Sequence, residues 1–456
     1  MNLKLAIFPT FFSLFTVLTT TEAIAEQPQI RKPNVIMIMV DAFGYETLGC
    51  NGSADYHTPV LDAMAQNGMR FEHCYAQPLC TPSRVKLMTG ISNVRNYVDF
   101  GALERSQQTF AHLLKTAGYQ TCVAGKWQLG FEPDSAHHFG FDQSCLWYQI
   151  TTGRDEQGHD GRYANPILCY NGELKEYTNG EFGPDLTSDF ICSFMEQNRE
   201  KPFFVYYPMT LTHCPFVATP DSADWQEQRK RSPTYKGDAK YFGDMVAYVD
   251  TIVGKLNAKL KQLGLTNNTV IFFTGDNGTD KPIVTKMRDG SSIAGSKGSM
   301  KDGGTRVPLI AYAPGIISKG VVSHELIDLS DFLPTICDFA GVKTPPKIDG
   351  HSFYPLLTGQ DYTPRKWIYL WYSRDGSINK AQEFARNQRY KLYRTGEFFD
   401  IKKDVLERKT LPDHLLTEQA RAAKIMLQAA LDQYTEARPE NLRKLSKQKP
   451  VRKKRQ

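Results

Sequence analysis

The chain alternates short apolar runs with amphipathic segments. "NVIMIMV" (34–40) is continuously apolar, which is typical of a strand buried on both faces of a parallel sheet. "TPVLDAMAQNG" (58–68) has a Thr cap, a Pro in its first turn and a terminal Gly, which predicts a helix. The same reasoning predicts helix 109–118, strand 119–125, helix 185–199, strand 203–209, helix 238–264, strand 269–277, strand 307–315 and helix 330–341. This order indicates an α/β fold with a large, mostly parallel central sheet flanked by helices.

The pattern changes after about residue 360. "WIYLWYS" (367–373) and "RYKLYRTGEFFD" (389–400) are aromatic and strand-like, and an amphipathic helix is predicted over 416–437. We therefore expect a large α/β domain over 26–360, a smaller C-terminal α+β subdomain over 361–440 and a basic, disordered tail over 441–456.

The N-terminus has the pattern of a secretory signal peptide. Lys4 precedes an apolar run from Leu5 to Leu18, and Ala23-Ile24-Ala25 forms a small-x-small cleavage site. The alternative is a membrane anchor, but the run is shorter than the roughly 20 residues that span a bilayer. No later apolar run approaches that length. We expect residues 1–25 to be removed, and the mature protein to be periplasmic or extracellular with no transmembrane segment.

Composition indicates a globular protein, with 41% hydrophobic and 23% charged residues. The net charge of +6 is concentrated at the end of the chain, because residues 443–456 carry eight positive and no negative charges. Subtracting those eight leaves −2 for the rest. We therefore expect no nucleic-acid partner. The tail is read as a solvated terminus, with loose attachment to an anionic polymer or surface as the alternative.

Nine cysteines are scattered along the chain without metal-type or disulfide-dense spacing. Their number is odd, so at least one is unpaired in an oxidising compartment. Cys122 and Cys192 lie in apolar patterns typical of a core, but Cys80 lies between prolines in "PLCTPSRVKLMTG" (78–90). Pro82 suits the first turn of a helix that runs through "SRVKLMTG" (83–90). The backbone N–H groups at the start of a helix favour binding of an anion.

Polar residues end or follow the predicted central strands at equivalent ends. They are Asp41, Lys126, His213, Asp276 and Asn277. Ligands of open α/β sheets collect beyond the carboxyl ends of the strands, so we expect these side chains to meet there. Asp41, Asp276 and Asn277 offer hard oxygen donors, which suit calcium or magnesium better than zinc. For each residue alone, a turn or helix-cap role is the alternative.

An ordered set of motif-like segments covers roughly 35–360. They are "MVDAFGYETLGCNG" (39–52), "YHTPVLDAMAQNGMRFEHCYA" (56–76), "CTPSR" (80–84), "GYQTCVAGKWQLG" (118–130), "LTHCPF" (211–216), "TGDNGT" (274–279), "GSKGSMKDGGTRVP" (295–308) and "DLSDFLPTICDFAG…DGHSFYPLLTG" (328–359). Taken together and in this order, they resemble the type I sulfatases of the alkaline-phosphatase superfamily.

The resemblance implies a catalytic group. A maturation enzyme that reads C-x-P-x-R in an extended chain would convert Cys80 to formylglycine (3-oxoalanine). The hydrated aldehyde would be the nucleophile, and one calcium ion, rather than magnesium, would activate it. The implied metal ligands are Asp41, Asp276, Asn277 and residue 80. The implied catalytic residues are Cys80, Arg84, Lys126, Gln128, His213 and Lys297, with Lys126 and Lys297 on the sulfate and His213, with Lys297, donating to the leaving alcohol.

Two positions depart from the family pattern. Sulfatases usually have a second aspartate after the first strand, where this chain has Ala42, so one metal ligand is missing. The histidine of "GKWHLG" is Gln128, which can hydrogen-bond to the diol but cannot act as a base at neutral pH.

Substrate-binding candidates come from the segments 137–166 and 370–376. Aromatic rings stack on sugars and arginines hold anions, so a sulfated carbohydrate is the expected substrate. The candidates are His138, Trp147, Arg154, Arg162, Trp371 and Arg374. Ordinary packing or surface positions are the alternative for each.

Two further functions remain open at the level of the sequence. The same scaffold could hydrolyse phosphodiesters or phosphonate esters, and it would then turn these over faster than sulfates. Alternatively, Ala42 and Gln128 could mark a sulfated-glycan binding protein that has lost catalysis.

Overall fold

The computed structural model describes residues 32–445, together with Met1 and Leu5. The predicted signal peptide therefore lies almost wholly outside the described residues, as does 446–456 of the predicted tail. Residues 441–445 of that tail belong to a helix, which corrects the expectation that it is disordered from residue 441. Among the described residues, no helix is long and apolar enough to cross a membrane.

The described chain contains sixteen strands in three sheets. In chain order they are β1 Asn34–Val40, β2 Met69–Tyr75, β3 Gln120–Lys126, β4 Gln143–Trp147, β5 Ile167–Tyr170, β6 Glu173–Glu176, β7 Phe203–Pro208, β8 Thr269–Gly275, β9 Val284–Lys286, β10 Ser292–Ala294, β11 Arg306–Tyr312, β12 Val321–Asp328, β13 Ile368–Tyr372, β14 Gln382–Arg386, β15 Tyr390–Tyr393 and β16 Phe398–Asp400.

The helices of the described residues connect and cover these strands. They are α1 Pro59–Gln66, α2 Cys80–Thr89, α3 Asn93–Asn96, α4 Phe110–Thr116, α5 Ser135–His138, α6 Gly183–Gln197, α7 Trp225–Gln228, α8 Phe242–Gln262, α9 Asp302–Thr305, α10 Phe332–Ala340, α11 Tyr354–Leu357, α12 Glu418–Asp432 and α13 Glu440–Leu445.

The central sheet has ten strands in the order β12-β2-β11-β8-β1-β7-β3-β4-β5-β6. Its middle strands β8, β1, β7, β3 and β4 are parallel neighbours, and antiparallel pairs involve β11 on one side and β5 and β6 on the other. The prediction of a large, mostly parallel central sheet is confirmed. The predicted limits of the helices shift by a few residues at each end, because helix ends fray.

Strand β1 shows why a continuous apolar run predicts a strand buried on both faces. Val35, Met37 and Met39 pack into one hydrophobic cluster with α2, α4 and α10, whereas Ile36, Ile38 and Val40 pack into another with α1, α6 and α8. Since successive side chains of a strand point to opposite faces, a strand covered on both sides must be apolar at every position.

The C-terminal part forms a second, antiparallel sheet in the order β13-β14-β15-β16, with α12 packed on β14 and β15. This matches the predicted smaller α+β subdomain, while the boundary at residue 360 stays a prediction. Buried ion pairs tie this sheet to α9: Arg386 pairs with Asp302, and Lys391 lies 2.9 Å from Glu407. Glu407 also accepts from the Asp302 backbone N–H at 2.8 Å. The sheet thereby anchors the segment that follows Lys297.

Gly125, next to the last residue of β3, marks a close approach of two central strands. Its φ is +117°, and a Cβ there would collide with the carbonyl oxygen of Pro208 at the end of β7. Only glycine has both the backbone freedom and the lack of a side chain that this position requires. The close approach lies one residue before Lys126.

We expect Gly125→Ala to lower the free energy of unfolding by more than about 3 kcal/mol, because the new methyl group collides with backbone in the sheet. Gly118→Ala is the matched control: Gly118 also has a positive φ of +86°, but nothing lies within 4 Å of an added Cβ. It should cost about 1 kcal/mol. Urea unfolding curves measure both, and equal losses would contradict the role of the close approach.

Candidate active site

Four neighbouring strands of the central sheet end at one place. Val40 of β1 pairs with Gly275 of β8, and Met39 of β1 pairs with Pro208 of β7, so these parallel strands finish in register. Strand β3 lies beside β7. The residues that follow or end these strands therefore meet at one edge, as the sequence indicated. They are Asp41, Lys126, His213, Asp276 and Asn277.

Cys80 is the first residue of α2 and is buried beside this edge. Its Sγ donates to Oε1 of Gln128 at 2.9 Å, and Nζ of Lys126 lies 3.5 Å from the sulfur. Leu79, which precedes the helix, provides no side-chain cap. The first amides of the ten-residue helix α2 therefore have no competing side chain at the cap and suit an anion.

Arg84 joins the two carboxylates of the site. Its guanidinium lies 3.2 Å from Asp276 and 3.6 Å from Asp41, and all three side chains are fully buried. It also donates to the backbone carbonyls of Lys126 and Trp127. Because Arg84 lies four residues after Cys80, one helix turn separates the sulfur-bearing residue from the arginine that links β1, β3 and β8.

Asp41 pairs with two further cations, Lys126 and Lys297, the latter at 3.4 Å. Burial by itself raises the pKa of Asp41, but the Lys126 and Lys297 ammonium groups hold it well below its ordinary value. Burial and the negative charge of Asp41 raise the pKa of Asp276 to about 6, against the opposing effect of Arg84. Despite burial, the carboxylate of Asp41 raises the pKa of Lys297.

The residues of this edge fit a hard cation. Ligand atoms of Asp41, Cys80 and Asp276 all lie within 4.8 Å of one another, so this buried group could hold a metal ion. Oδ1 of Asn277 is buried and has no hydrogen-bond partner, while its Nδ2 donates to the Gly278 carbonyl at 3.1 Å. A buried oxygen without a donor is costly unless something binds it. A cation satisfies that requirement.

Both departures from the sulfatase pattern have left-handed backbone conformations. The φ of Ala42 is +58° and that of Gln128 is +56°. Such values are uncommon for residues other than glycine, and they cluster at functional sites. Ala42 donates its N–H to Oδ1 of Asp276 at 3.0 Å, and Gln128 accepts from Thr81 at 3.3 Å as well as from Cys80.

His213 is 7% exposed and faces the site from the segment after β7. Its Nδ1 lies 2.7 Å from a guanidinium nitrogen of Arg162 and also faces the carbonyl oxygen of Cys214. Burial lowers the pKa of His213 well below its ordinary value, and the positive charges of Lys297 and Arg162 lower it further. The imidazole is therefore neutral at neutral pH.

A cavity of about 340 Å³ opens over these groups. It exposes Cys80, Lys126, Gln128, His213 and Lys297 to a common space. Of the predicted substrate-binding residues, the ones that line it are Trp147, Arg154, Arg162 and Arg374. Tyr148, Thr152 and Asp160 also line it and belong to the predicted segment 137–166, although they were not among the named candidates, whereas Phe100 and Tyr235 line it from outside the predicted segments. These residues lie outside the described helices and strands, so periodicity carries no signal for them.

The expectation that His138 and Trp371 line the pocket is corrected. His138 uses Nε2 to bond the carbonyl of Arg105 at 2.7 Å, away from the cavity. Trp371 is 1% exposed, and the guanidinium of Arg438 covers its ring at 4.7 Å. Strand β13 points Trp371 into the core, whereas Arg374, two residues after the strand, reaches the cavity.

Comparisons with known proteins agree with this geometry. A family model described as Sulfatase matches residues 33–342, and one described as N-sulphoglucosamine sulphohydrolase, C-terminal, matches residues 296–436. Arylsulfatase A of Homo sapiens is 32% identical over 396 residues, which is 80% of this chain and 75% of the human protein. N-acetylgalactosamine-6-sulfatase of Mus musculus is 33% identical over 368 residues, which is 72% of this chain and 67% of the mouse protein.

Solved structures add a fold-level match. The structure of BT4656 in complex with its substrate D-glucosamine-2-N,6-O-disulfate is 25% identical, with a TM-score of 0.72. The match covers 89% of this chain and 99% of that chain.

We expect Arg84→Met to lower the free energy of unfolding by about 3 kcal/mol or more, because two buried carboxylates lose their shared cation. Arg95→Met is the matched control, since Arg95 pairs with Asp349 at 3.1 Å but is 43% exposed. It should cost less than about 1 kcal/mol. Chemical denaturation of both variants measures the difference, and a small loss for Arg84→Met would contradict its linking role.

Proposed function

The chain belongs to the sulfatase family and is a sulfuric ester hydrolase, and on that premise we propose that it removes sulfate from a sulfated carbohydrate with a formylglycine at position 80 and a calcium ion. The observation that supports this most is the position of Cys80. It starts a helix, lies 3.5 Å from the ammonium of Lys126, and shares a cluster with Asp41 and Asp276.

The thiol of Cys80 stands in for a hydrated aldehyde, whose oxygen would supply the nucleophile. We propose that a formylglycine-generating maturation enzyme makes this group before the chain folds, since Cys80 and Arg84 are buried afterwards. Gln128, already bonded to Sγ at 2.9 Å, would orient the new group by hydrogen bonding. The amide of Gln128 cannot take up a proton at neutral pH, so it orients without acting as a base.

Asp41, Asp276 and Asn277 would hold the metal ion, with residue 80 completing the set. When bound, the ion would polarise a sulfate oxygen and lower the pKa of the nucleophile. Calcium is proposed because all three side chains offer oxygen and because calcium accepts irregular coordination. Arg84 keeps both carboxylates in place.

Sulfate binding is assigned to the cations of the cavity. Lys126 and Lys297 approach Asp41 from two segments and both line the cavity, so each can face a sulfate oxygen. The amides at the start of α2 add partial positive charge. Fixed positive groups stabilise the charge that develops as the ester bond breaks. His213 lines the same cavity and would donate a hydrogen bond to the leaving oxygen.

A carbohydrate substrate is proposed from the outer part of the cavity. Phe100 and Tyr235 offer aromatic surface, and the exposed Arg154 and Arg374 offer positive charge at its lining. The substrate in the similar structure of BT4656 is a doubly sulfated glucosamine. Export to the periplasm or the extracellular space belongs to the same proposal, since sulfated polysaccharides are large and occur outside cells.

We expect protein produced with a maturation enzyme to carry formylglycine at residue 80 and to release sulfate from sulfated saccharides. Cys80→Ala should lower kcat at least about 10³-fold, because it removes the nucleophile. Cys192→Ala on α6 is the matched control and should keep full activity. Peptide mass spectrometry and sulfate release measure both. No formylglycine and no release from any saccharide, or faster turnover of phosphonate or phosphate esters, would overturn the proposal.

Ala42→Asp should tighten calcium binding about tenfold or more, because charge count sets calcium affinity. The left-handed backbone at residue 42 tolerates Asp better than Ala. Ala42→Asn has the same size and an oxygen donor without charge, and should gain less. Calorimetry gives the affinities and sulfate release gives the rates. Tighter calcium binding without any activity in the matured variant would favour a binding protein instead, and unchanged affinity would refute the metal assignment.

A further inference from the structure

Arg162 is held on three sides beside His213. Its Nε lies 2.9 Å from one Asp160 oxygen, and its second terminal nitrogen lies 3.0 Å from the other. The guanidinium lies over the ring of Trp147 at 4.2 Å and is 4% exposed. The remaining nitrogen points at Nδ1 of His213 at 2.7 Å. A bidentate, stacked and buried guanidinium is fixed in direction.

This contact selects one form of the imidazole. A guanidinium has only donors, so Nδ1 must offer its lone pair to Arg162. Nδ1 also faces the carbonyl oxygen of Cys214, which would favour a proton there. A proton on Nδ1, however, would place two N–H groups head to head, one of them on a buried cation that Asp160 and Trp147 prevent from turning. The repulsion between two buried N–H donors, one of them on a cation, is the larger cost.

We propose that Arg162 is a positioning residue that holds His213 as a neutral imidazole with its proton on Nε2, directed into the cavity. Asp160 and Trp147 fix the guanidinium, and the guanidinium fixes the ring. The proposal concerns the state of the protein before substrate binds. Its significance for sulfate ester hydrolysis rests on the proposed function.

The fixed tautomer gives His213 and Lys297 different roles at the leaving group. A neutral imidazole that gives up its Nε2 proton becomes an imidazolate, which is a strong base and takes that proton back. His213 therefore donates a hydrogen bond and keeps its proton. As the nucleophile's oxygen bonds to sulfur, the ester S–O bond would break with its electron pair going to the alcohol oxygen, and the proton would come from the ammonium of Lys297, which would become a neutral amine. Lys297 lines the same cavity, and its positive charge lowers the pKa of His213.

The tautomer can be measured on the full chain without substrate or maturation. In protein labelled with ¹⁵N-histidine, long-range ¹H–¹⁵N spectra distinguish pyrrole-type from pyridine-type nitrogens, and His213→Asn assigns the signals. We expect wild-type His213 to show pyrrole-type Nε2 and pyridine-type Nδ1 from pH 6 to 8. Arg162→Met keeps a long side chain over Trp147 but no donor, and should give a mixture of tautomers. A pyrrole-type Nδ1 in the wild type would overturn the proposal.

Arg154→Gln is the matched control, because Arg154 lines the same cavity but bonds the Gly158 carbonyl at 2.6 Å. It should leave the His213 signals in the Nε2–H pattern. Loss of that pattern in Arg154→Gln, or its persistence in Arg162→Met, would show that charge in the cavity or the fold at large sets the tautomer. Arg162→Met leaves the buried Asp160 carboxylate unpaired, and that variant could fail to fold for this reason. The double variant Asp160→Asn/Arg162→Met removes both charges and replaces it in the experiment in that case.

Kinetics of the matured enzyme give an independent measurement. Arg162→Met should lower kcat on a sugar sulfate about tenfold or more, with KM changed less than about threefold, since a charged hydrogen-bond partner is lost. Arg162→Lys keeps one donor and should recover part of the rate. A rise in KM alone would identify Arg162 as a substrate contact and refute the positioning role. If no sulfate is released by any protein, the proposed function fails while the spectra still decide the tautomer.

Discussion

The carboxylate of Asp41 is the point on which the site depends. It is fully buried and lies within ion-pair distance of Arg84, Lys126 and Lys297. These cations come from a helix, a strand and a loop that are far apart in the sequence. A carboxylate that stays ionised inside the protein requires such partners. Each partner in turn has its position fixed by Asp41, so the strand ends, the start of α2 and the Lys297 segment are held as one unit.

The same cluster sets the balance of charge for chemistry. Asp41 and Asp276 face three cations at this edge, so the described site is positive before any metal binds. An aspartate at residue 42 would have offset part of that charge. Ala42 therefore affects more than a coordination number: it shifts the site toward anions and away from cations. A metal ion would bind the carboxylates and a sulfate group the cations, and each favours binding of the other because their charges are opposite.

Much of the fold and the inner site could be predicted from local patterns. The limits of β1 agree with the apolar run at 34–40, because a strand that is buried on both faces has no polar position to interrupt the run. Asp41 and Asp276 were located by their place after parallel strands. The prediction that Trp371 lines the pocket is wrong because the sequence pattern of an aromatic residue in a strand is equally compatible with the core and with a cavity. The contact of Arg162 with His213 joins residues 51 positions apart, and no period or spacing encodes it. Phe100 and Tyr235 could not be predicted either, because they lie on irregular segments that have no period.

The ion pairs that join the C-terminal sheet to α9 have a consequence for the order of events during synthesis. Lys391, Arg386 and Glu407 lie beyond residue 380, yet they bind Asp302 and the backbone of Met300, close to Lys297. The Lys297 segment therefore lacks its anchors until those residues have been made. On the proposed function, a maturation enzyme that reads extended chain would reach Cys80 during that interval. Formation of the last sheet would then complete the site around residue 80 only when the chain is nearly full length.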